Sequence, residues 1–414
     1  MAQASSLSSS TVRISRRAAD RLRAGHLWVY KSDVESAVEG LEPGSLVMVV
    51  DGRGVLGTAI YSDASQIAAR VVSREAGMTR EGYIADVKAK LWAALERRKV
   101  LAPVTERDNA HRLVFSEADG LPGMVVDRYN GLVVLQLLTQ GTAQDDVRGA
   151  VVEVLREAFA GAELTVWERP DARIRELEKL AAPAEGPLFA SGERSAKTEF
   201  MLNGLRFEYD AGAGQKTGAF LDQRMNYAAA ARWVAASGRT GRAMDVCTYQ
   251  GGFALHLAQV CERVTGVDAS RAALEAADRN LERNPGLRAD VDWMEADAFE
   301  LLRALDGAGE RFDAMVLDPP AFAKSKRAAE GAMRGYKELN LRALRMLKSG
   351  GTLVTNSCSH HVGLEEFTAV VASAAADVGR RVQVLEVRGA AVDHPEVLTL
   401  AETRYLKCLV LRVE

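Results

Sequence analysis

The chain has 414 residues, 48% hydrophobic and 26% charged, with a formal net charge of -3. At about 150 residues per domain, this length accommodates two or three domains, and the balance excludes a fibrous or mainly disordered chain. No apolar run reaches the ~18–20 residues of a membrane helix, and the four cysteines form no CxxC pair, which excludes a disulfide framework and a typical cysteine zinc site. A reducing cytoplasm is the expected location, and any nucleic-acid binding must rest on local basic patches.

The Ser-rich start, Met1 to Thr11, lacks the apolar core of a signal peptide and reads as a loose tail. Residues 1–75 predict a small β-rich module, with strands at Ser45–Val50 and Gln66–Val72 broken by Gly and Asp turns. Up to Lys31, the cations Arg13, Arg16, Arg17, Arg21, Arg23 and Lys31 face Asp20 alone. Such a run is either a solvated helix face or a phosphate-contacting surface.

Residues 76–200 alternate helix and strand. Tyr83–Val100 and Asp145–Phe159 are the expected helices; Leu113–Ala118, Met124–Asp127, Leu132–Leu138 and Leu164–Glu168 are the expected strands. Ala181–Ser191, with Pro183, Gly186 and Pro187, reads as a connector. Over 201–414 strands are expected at Ala243–Cys247, Arg263–Asp268, Val291–Glu295, Ala314–Asp318 and Gly351–Ser357. Helical patterns at Phe253–Val260, Ala272–Asn284, Ala298–Ala304 and Ala329–Leu347 separate them. This is the grammar of a doubly wound parallel sheet, which binds ligands at the carboxyl ends of its strands.

The residues after each strand therefore carry the chemistry. Asp245 to Phe253 runs from strand to helix through Gly251 and Gly252, which let backbone approach a ligand or simply make a tight turn. Asp268 ends the next strand, where an acid either accepts both ribose hydroxyls of a nucleoside cofactor or caps the helix that follows. NAD and S-adenosylmethionine both suit such a site, and the absence of GxGxxG disfavours NAD. Asp297 is placed either to bond the exocyclic amine of adenine or to cap a helix. Asp318-Pro319-Pro320-Ala321-Phe322 holds rigid extended backbone, leaving a carboxylate and carbonyls to face a planar base. Lys324, Lys326 and Arg327 follow it, with Arg334 and Lys337; they suit a nearby phosphate backbone or form a solvated face. Cys358 ends the fifth strand between polar neighbours, unlike a core cysteine; Cys247, Cys261 and Cys408 read as small core hydrophobes.

The chain resembles the PUA-containing bacterial 23S rRNA cytosine-5 methyltransferases. The likeness covers almost all of it and rests on Gly214 to Arg224, Asp245–Phe253, Asp318 to Phe322, Ser357-Cys358-Ser359, Asp393-His394-Pro395 and Tyr405-Leu406-Lys407. It implies an α/β chain: an N-terminal β-rich PUA-like RNA-binding domain (1–75), a central small α/β domain (76–200) and a Rossmann-like class I methyltransferase domain (201–414). It implies S-adenosylmethionine as methyl donor, with Gln215, Lys216, Phe220, Asp222 and Arg224 along the methionine side. Asp245 and the Gly251-Gly252 turn fall near its methionine and ribose portions, Asp268 at the ribose and Asp297 at the adenine. Asp318 falls between donor and target base, and Cys358 is the implied nucleophile. The implied partner is 23S ribosomal RNA or a large-subunit assembly intermediate, with no membrane; a homodimer is one open oligomeric state. Many RNA cytosine-5 methyltransferases carry a second cysteine where this chain has Ala321, so product release must use another group, His360 or His361 being candidates. Related guanine-N7 enzymes lack Ser-Cys-Ser. Direct transfer to N7 or an amine, and a non-catalytic RNA-binding assembly factor, are the competing readings.

Overall fold

A computed structural model describes residues 10–169, 171–212, 219–322 and 329–414. Leu46–Asp51 alternates half-buried and buried side chains, the period-two pattern of a strand with one face on a core. It lies between Thr11–Arg13, in parallel, and Gly54–Tyr61, antiparallel; Ile67–Ser73 and Trp28–Tyr30 complete a five-stranded sheet. Ser15 caps helix Arg16–Arg23, which buries Ala18, Ala19 and Leu22 against Val12, Val29, Val47 and Val49.

In the central part, helix Arg80–Leu101 starts at a Thr79 cap and buries Tyr83, Val87, Leu91 and Leu95 at a spacing of four. They pack with helix Asp145–Ala158 and strands Ala110–Phe115, Met124–Tyr129, Leu132–Leu137 and Thr165–Glu168 in one apolar cluster. The expected strand Leu113–Ala118 lies earlier, at Ala110–Phe115, and turns into a 3-10 segment at Ser116–Asp119. Asp119 causes this, because its carboxylate accepts the Phe115 amide at 2.7 Å and so curls the chain. Within the expected connector, Phe189–Ala190 pairs with Val166 and Thr165 as an edge strand.

Lys197–Leu202 and Leu205–Asp210 form a β-hairpin that the sequence reading did not assign. Its turn is Asn203-Gly204, both with positive φ, as a two-residue hairpin turn requires. Beyond it lies a seven-stranded sheet. The order is Asp290–Glu295, Arg263–Asp268, Arg242–Val246, Phe312–Leu317, Leu347–Ser357, Lys407–Val413 and Val382–Arg388. The first five are parallel and match the expected strands; Lys407–Val413 runs antiparallel to both its neighbours. Met244, Met315, Leu317 and Leu353 point into one apolar cluster; Ala243, Ala314, Val316 and Val354 point into another. Alternation of side chains along each strand puts the two clusters on opposite faces, where helices cover them.

One buried charge ties the central part to the sheet's last loop. Arg98 is 1% exposed. Its guanidinium bonds both Asp119 oxygens at 2.7 Å and the Asp393 carbonyl at 2.9 Å. The Asp393 carboxylate in turn accepts the Arg112 amide at 2.8 Å and Arg224 Nε at 3.2 Å. Removing one partner of such a network leaves a buried charge uncompensated. Arg98→Met is expected to lower unfolding free energy by about 3–5 kcal/mol in urea denaturation; a loss under about 1 kcal/mol would show that the network is not structural.

Candidate active site

Strand register sets the site. Asp245 pairs with Gly266 on one side and Val316 on the other, and Leu317 pairs with Thr355, so the carboxyl ends of these strands lie together. Asp245 is fully buried. Its Oδ2 accepts Thr248 Oγ1 at 2.5 Å and the Ala254 amide at 2.9 Å, while Oδ1 is buried with no partner. Burial pushes this carboxyl up to about 7, against the pull of those two hydrogen bonds.

The chain turns sharply after Val246, with φ of +65° at Cys247, +51° at Tyr249 and +83° at Gly251. A Cβ on Gly252 would lie 2.5 Å from the Tyr227 ring, so only glycine fits there. Asp268 pins this turn: its Oδ2 accepts the Tyr249 amide and its Oδ1 the Ser270 amide, each at 2.9 Å. Ser270, not Asp268, caps the next helix. Asp297 does cap a helix, with Oδ1 accepting the Phe299 and Glu300 amides at 2.9 and 3.0 Å, yet its side chain stays exposed. Cys247, read as a core residue, instead lines the cleft, because the strand ends one position early.

This cleft is also lined by Phe220, Thr248, Tyr249, Gly252 and Asp318. The Phe220 and Tyr249 rings are 5.0 Å apart at its wall. Asp318 Oδ1 accepts Gln223 Nε2 at 2.9 Å. Burial, then the charges of Asp245 and Asp222, hold the Asp318 carboxyl well above the usual range and favour its protonated form. Cys358 Sγ lies 3.8 Å from the Pro319 carbonyl, directly beside Asp318. Asn356 Nδ2 bonds the Leu317 carbonyl at 3.1 Å and locks the two strand ends together. Ser357 and Ser359 each bond the Tyr336 hydroxyl at 2.9 Å, which fixes the loop on both sides of the thiol. Burial, then Asp318 and Asp222, push the Cys358 thiol up to about 12, and Lys407 opposes them.

Asp222 accepts the Tyr405 hydroxyl at 2.5 Å and so stands at the same edge. Arg224 does not face the cleft as expected: it is buried in its ion pair with Asp393 and holds that loop. Gln215 and Lys216 lie outside the described residues, as do Lys324, Lys326 and Arg327. Of the N-terminal cations, Arg21 pairs with Asp33 and Arg23 with Asp51 at 2.7 Å. Asp51 lies on a neighbouring strand and Asp33 just beyond Lys31, outside the run counted along the chain. Arg13, Arg16 and Arg17 remain exposed, and Arg16 reaches Asp20 only at 4.0 Å. His360 and His361 are exposed, and His360 Nδ1 lies 3.2 Å from the Glu402 carbonyl. Gln223, Tyr249 and Lys407 were missed as site residues, though Gln223 sits inside the motif stretch before Arg224 and Tyr249 inside the turn after Val246.

These residues fit S-adenosylmethionine, whose sulfonium and ammonium are positive. Asp245 and Asp318 are buried acids shifted toward their neutral forms, and Asp245 Oδ1 has no hydrogen-bond partner; a cation nearby relieves that strain. Aromatic walls at Phe220 and Tyr249 suit the apolar remainder.

Comparisons with known proteins agree. Residues 12–74 match a PUA-like domain, and residues 121–408 match the S-adenosylmethionine-dependent methyltransferases. The ribosomal RNA large subunit methyltransferase I of Klebsiella pneumoniae is 36% identical over 393 residues, 94% of each chain. That of Escherichia coli O127:H6 is 36% identical over 391 residues, covering 94% of this chain and 95% of its own. The chain belongs to this family. It is an S-adenosylmethionine-dependent methyltransferase with a PUA-like N-terminal domain. Two solved structures share the fold at 18% identity, each covering 97% of this chain and 100% of its own. They are SMU.776, described as a methyltransferase complexed with SAH (TM-score 0.79), and a SAM-dependent methyltransferase from Streptococcus mutans (0.78).

Asp268 already spends one lone pair of each oxygen on backbone, and a carboxylate has pairs left for two ribose hydroxyls. Asp268→Ala is expected to weaken S-adenosylmethionine binding at least about tenfold, at ~1.5–3 kcal/mol per charged hydrogen bond lost. Calorimetric titration with unchanged affinity would remove Asp268 from the donor site.

Proposed function

We propose that this protein transfers a methyl group to carbon 5 of a cytosine in large-subunit (23S) ribosomal RNA, through a covalent cysteine–cytosine intermediate. The observation that carries this reading is the thiol of Cys358, 3.8 Å from the Pro319 carbonyl and so beside the loop whose Asp318 lines the cleft. The RNA substrate is carried over from the relatives' names. Naked RNA and a large-subunit assembly intermediate both suit it, in the cytoplasm. Among the described residues no helix is long and apolar enough to cross a membrane.

S-adenosylmethionine supplies the electrophilic methyl group. Carbon 5 of cytosine is a poor nucleophile until something adds at carbon 6. The Cys358 thiolate forms a bond to carbon 6, and the ring's double-bond electrons move toward N3 and O2. Asp318, whose protonated form is favoured by its burial and its acidic neighbours, donates to N3 and stabilises that charge. Gln223 holds the other part of the same carboxyl and keeps it oriented. Once carbon 5 is methylated, its proton passes to water, the C–H electron pair re-forms the C5–C6 double bond, and the C6–S bond breaks, restoring the thiolate. The base must first leave its stack, which costs a few kcal/mol unless the RNA is already open. The exposed Arg13, Arg16 and Arg17 suit phosphate contacts that position the RNA, with Lys324, Lys326 and Arg327 as a second group.

Cys358→Ala is expected to keep the fold and donor affinity and to lose 5-methylcytosine formation by at least about a thousandfold, since the step it removes is the covalent one. Mass analysis of RNA nucleosides after incubation with methyl-labelled donor reads this directly. A fully active variant, or a methylated base other than 5-methylcytosine in the parent, would move the assignment to direct transfer; no methylated base would favour an assembly factor.

A further inference from the structure

A buried ammonium without a carboxylate partner is unusual, because removing its water is costly unless an anion replaces it. Lys407 is such a group. It is 4% exposed. Its Nζ donates to the Ser359 carbonyl at 2.6 Å and the Tyr405 carbonyl at 2.7 Å, which leaves the third of its donors open. It makes no ion pair with a carboxylate among the described residues. Strand pairing explains where it sits. Lys407 is directly opposite Ser357 in the antiparallel ladder, one residue before Cys358, and its bond to Ser359 brackets the cysteine from the other side.

We propose that Lys407 is the positioning residue that stabilises the Cys358 thiolate, the thiolate being the counter-charge for which this buried ammonium is placed. This rests on the reading of Cys358 as the nucleophile. On ionisation the S–H bond breaks, the proton passes to solvent, and Lys407 keeps its own proton. The groups facing the thiol are Asp318 and Asp222 from the cofactor side, Tyr336 from helix Ala329–Met346, and Tyr405 and Lys407 from the C-terminal segment. Lys407 is the cation among them, set against two acids that disfavour the thiolate. Glu366 and His360 also lie within electrostatic reach of Lys407. Burial lowers the Lys407 ammonium to about 8, and the charges of Cys358 and Glu366 oppose that shift. The charge is therefore largely present at neutral pH and lost as pH rises through about 8.

The test is the pH dependence of Cys358 alkylation by iodoacetamide in the full chain, followed by mass spectrometry of the Cys358 peptide. The thiolate fraction normally rises about tenfold per pH unit well below the thiol pKa. In the parent protein the rate should flatten above about pH 8, because losing the ammonium cancels the gain in thiolate. Lys407→Arg keeps its charge at every pH used, so its rate should keep rising through that range. Lys407→Met should alkylate at least about tenfold more slowly at neutral pH, one pKa unit or more of lost stabilisation. Because the Arg variant retains charge and two backbone bonds, the comparison survives even if the Met variant does not fold. Parent and Lys407→Arg profiles that rise in parallel without a break would overturn the proposal. Alkylation does not require turnover, so this result stands apart from whether Cys358→Ala is inactive.

Discussion

The parallel pairing of Phe312–Leu317 with Leu347–Ser357 is the constraint on which the site depends. With Leu317 opposite Thr355, the Asp318-Pro319-Pro320 loop and the Cys358 loop leave the sheet at the same level. A slip of one residue would turn every side chain of one strand to the other face and separate the acid from the thiol. Asn356 guards that register through its bond to the Leu317 carbonyl. On the far side, antiparallel pairing with Lys407–Val413 brings an ammonium to the same edge. Two strand pairings thus assemble acid, thiol and amine from segments nearly 90 residues apart.

The second organising fact is that burial shifts each of these groups toward its uncharged form. Burial raises Asp245, Asp318 and Cys358 and lowers Lys407 and His360. A cluster of this kind has little net charge of its own, and a cationic donor and a planar base change its balance when they arrive. A protonated Asp318 can donate where an ionised one would only accept. The outlying Arg98–Asp119–Asp393–Arg224 network carries no such poise; it is fully paired and serves to hold the central part against the loop that carries His394.

Much of this was legible in the sequence because it is local. Apolar strands followed by an acid or a Gly turn marked four of the five parallel strands, the polar-flanked Cys358 marked the fifth, and the double proline after Asp318 marked the loop. What escaped depends on partners far along the chain. Lys407–Val413 looks like any short apolar strand, and only the ladder to Ser357 shows that its first residue faces the site. Arg224 sits in a motif with Asp222 and Gln223, yet it turns toward Asp393, 169 residues on, while its neighbours stay with the site. Charge counting along the N-terminal run overstated its free cations because Asp33 and Asp51 come from beyond it. The hairpin Lys197–Asp210 was a missed local signal: Asn203-Gly204 between alternating residues is a strong two-residue turn.

The central claim is that a cysteine of this chain bonds to the cytosine ring. The most direct measurement replaces the target cytosine of the RNA substrate with 5-fluorocytosine and adds S-adenosylmethionine. After methyl transfer, carbon 5 carries fluorine instead of a removable proton, so elimination stops and the C6–S bond persists. The account predicts a denaturation-resistant protein–RNA adduct whose cross-linked peptide contains Cys358, formed equally well when Cys247, Cys261 or Cys408 is replaced. Efficient methylation of the ordinary RNA together with no adduct on the fluorinated one, or an adduct at another cysteine, would contradict it.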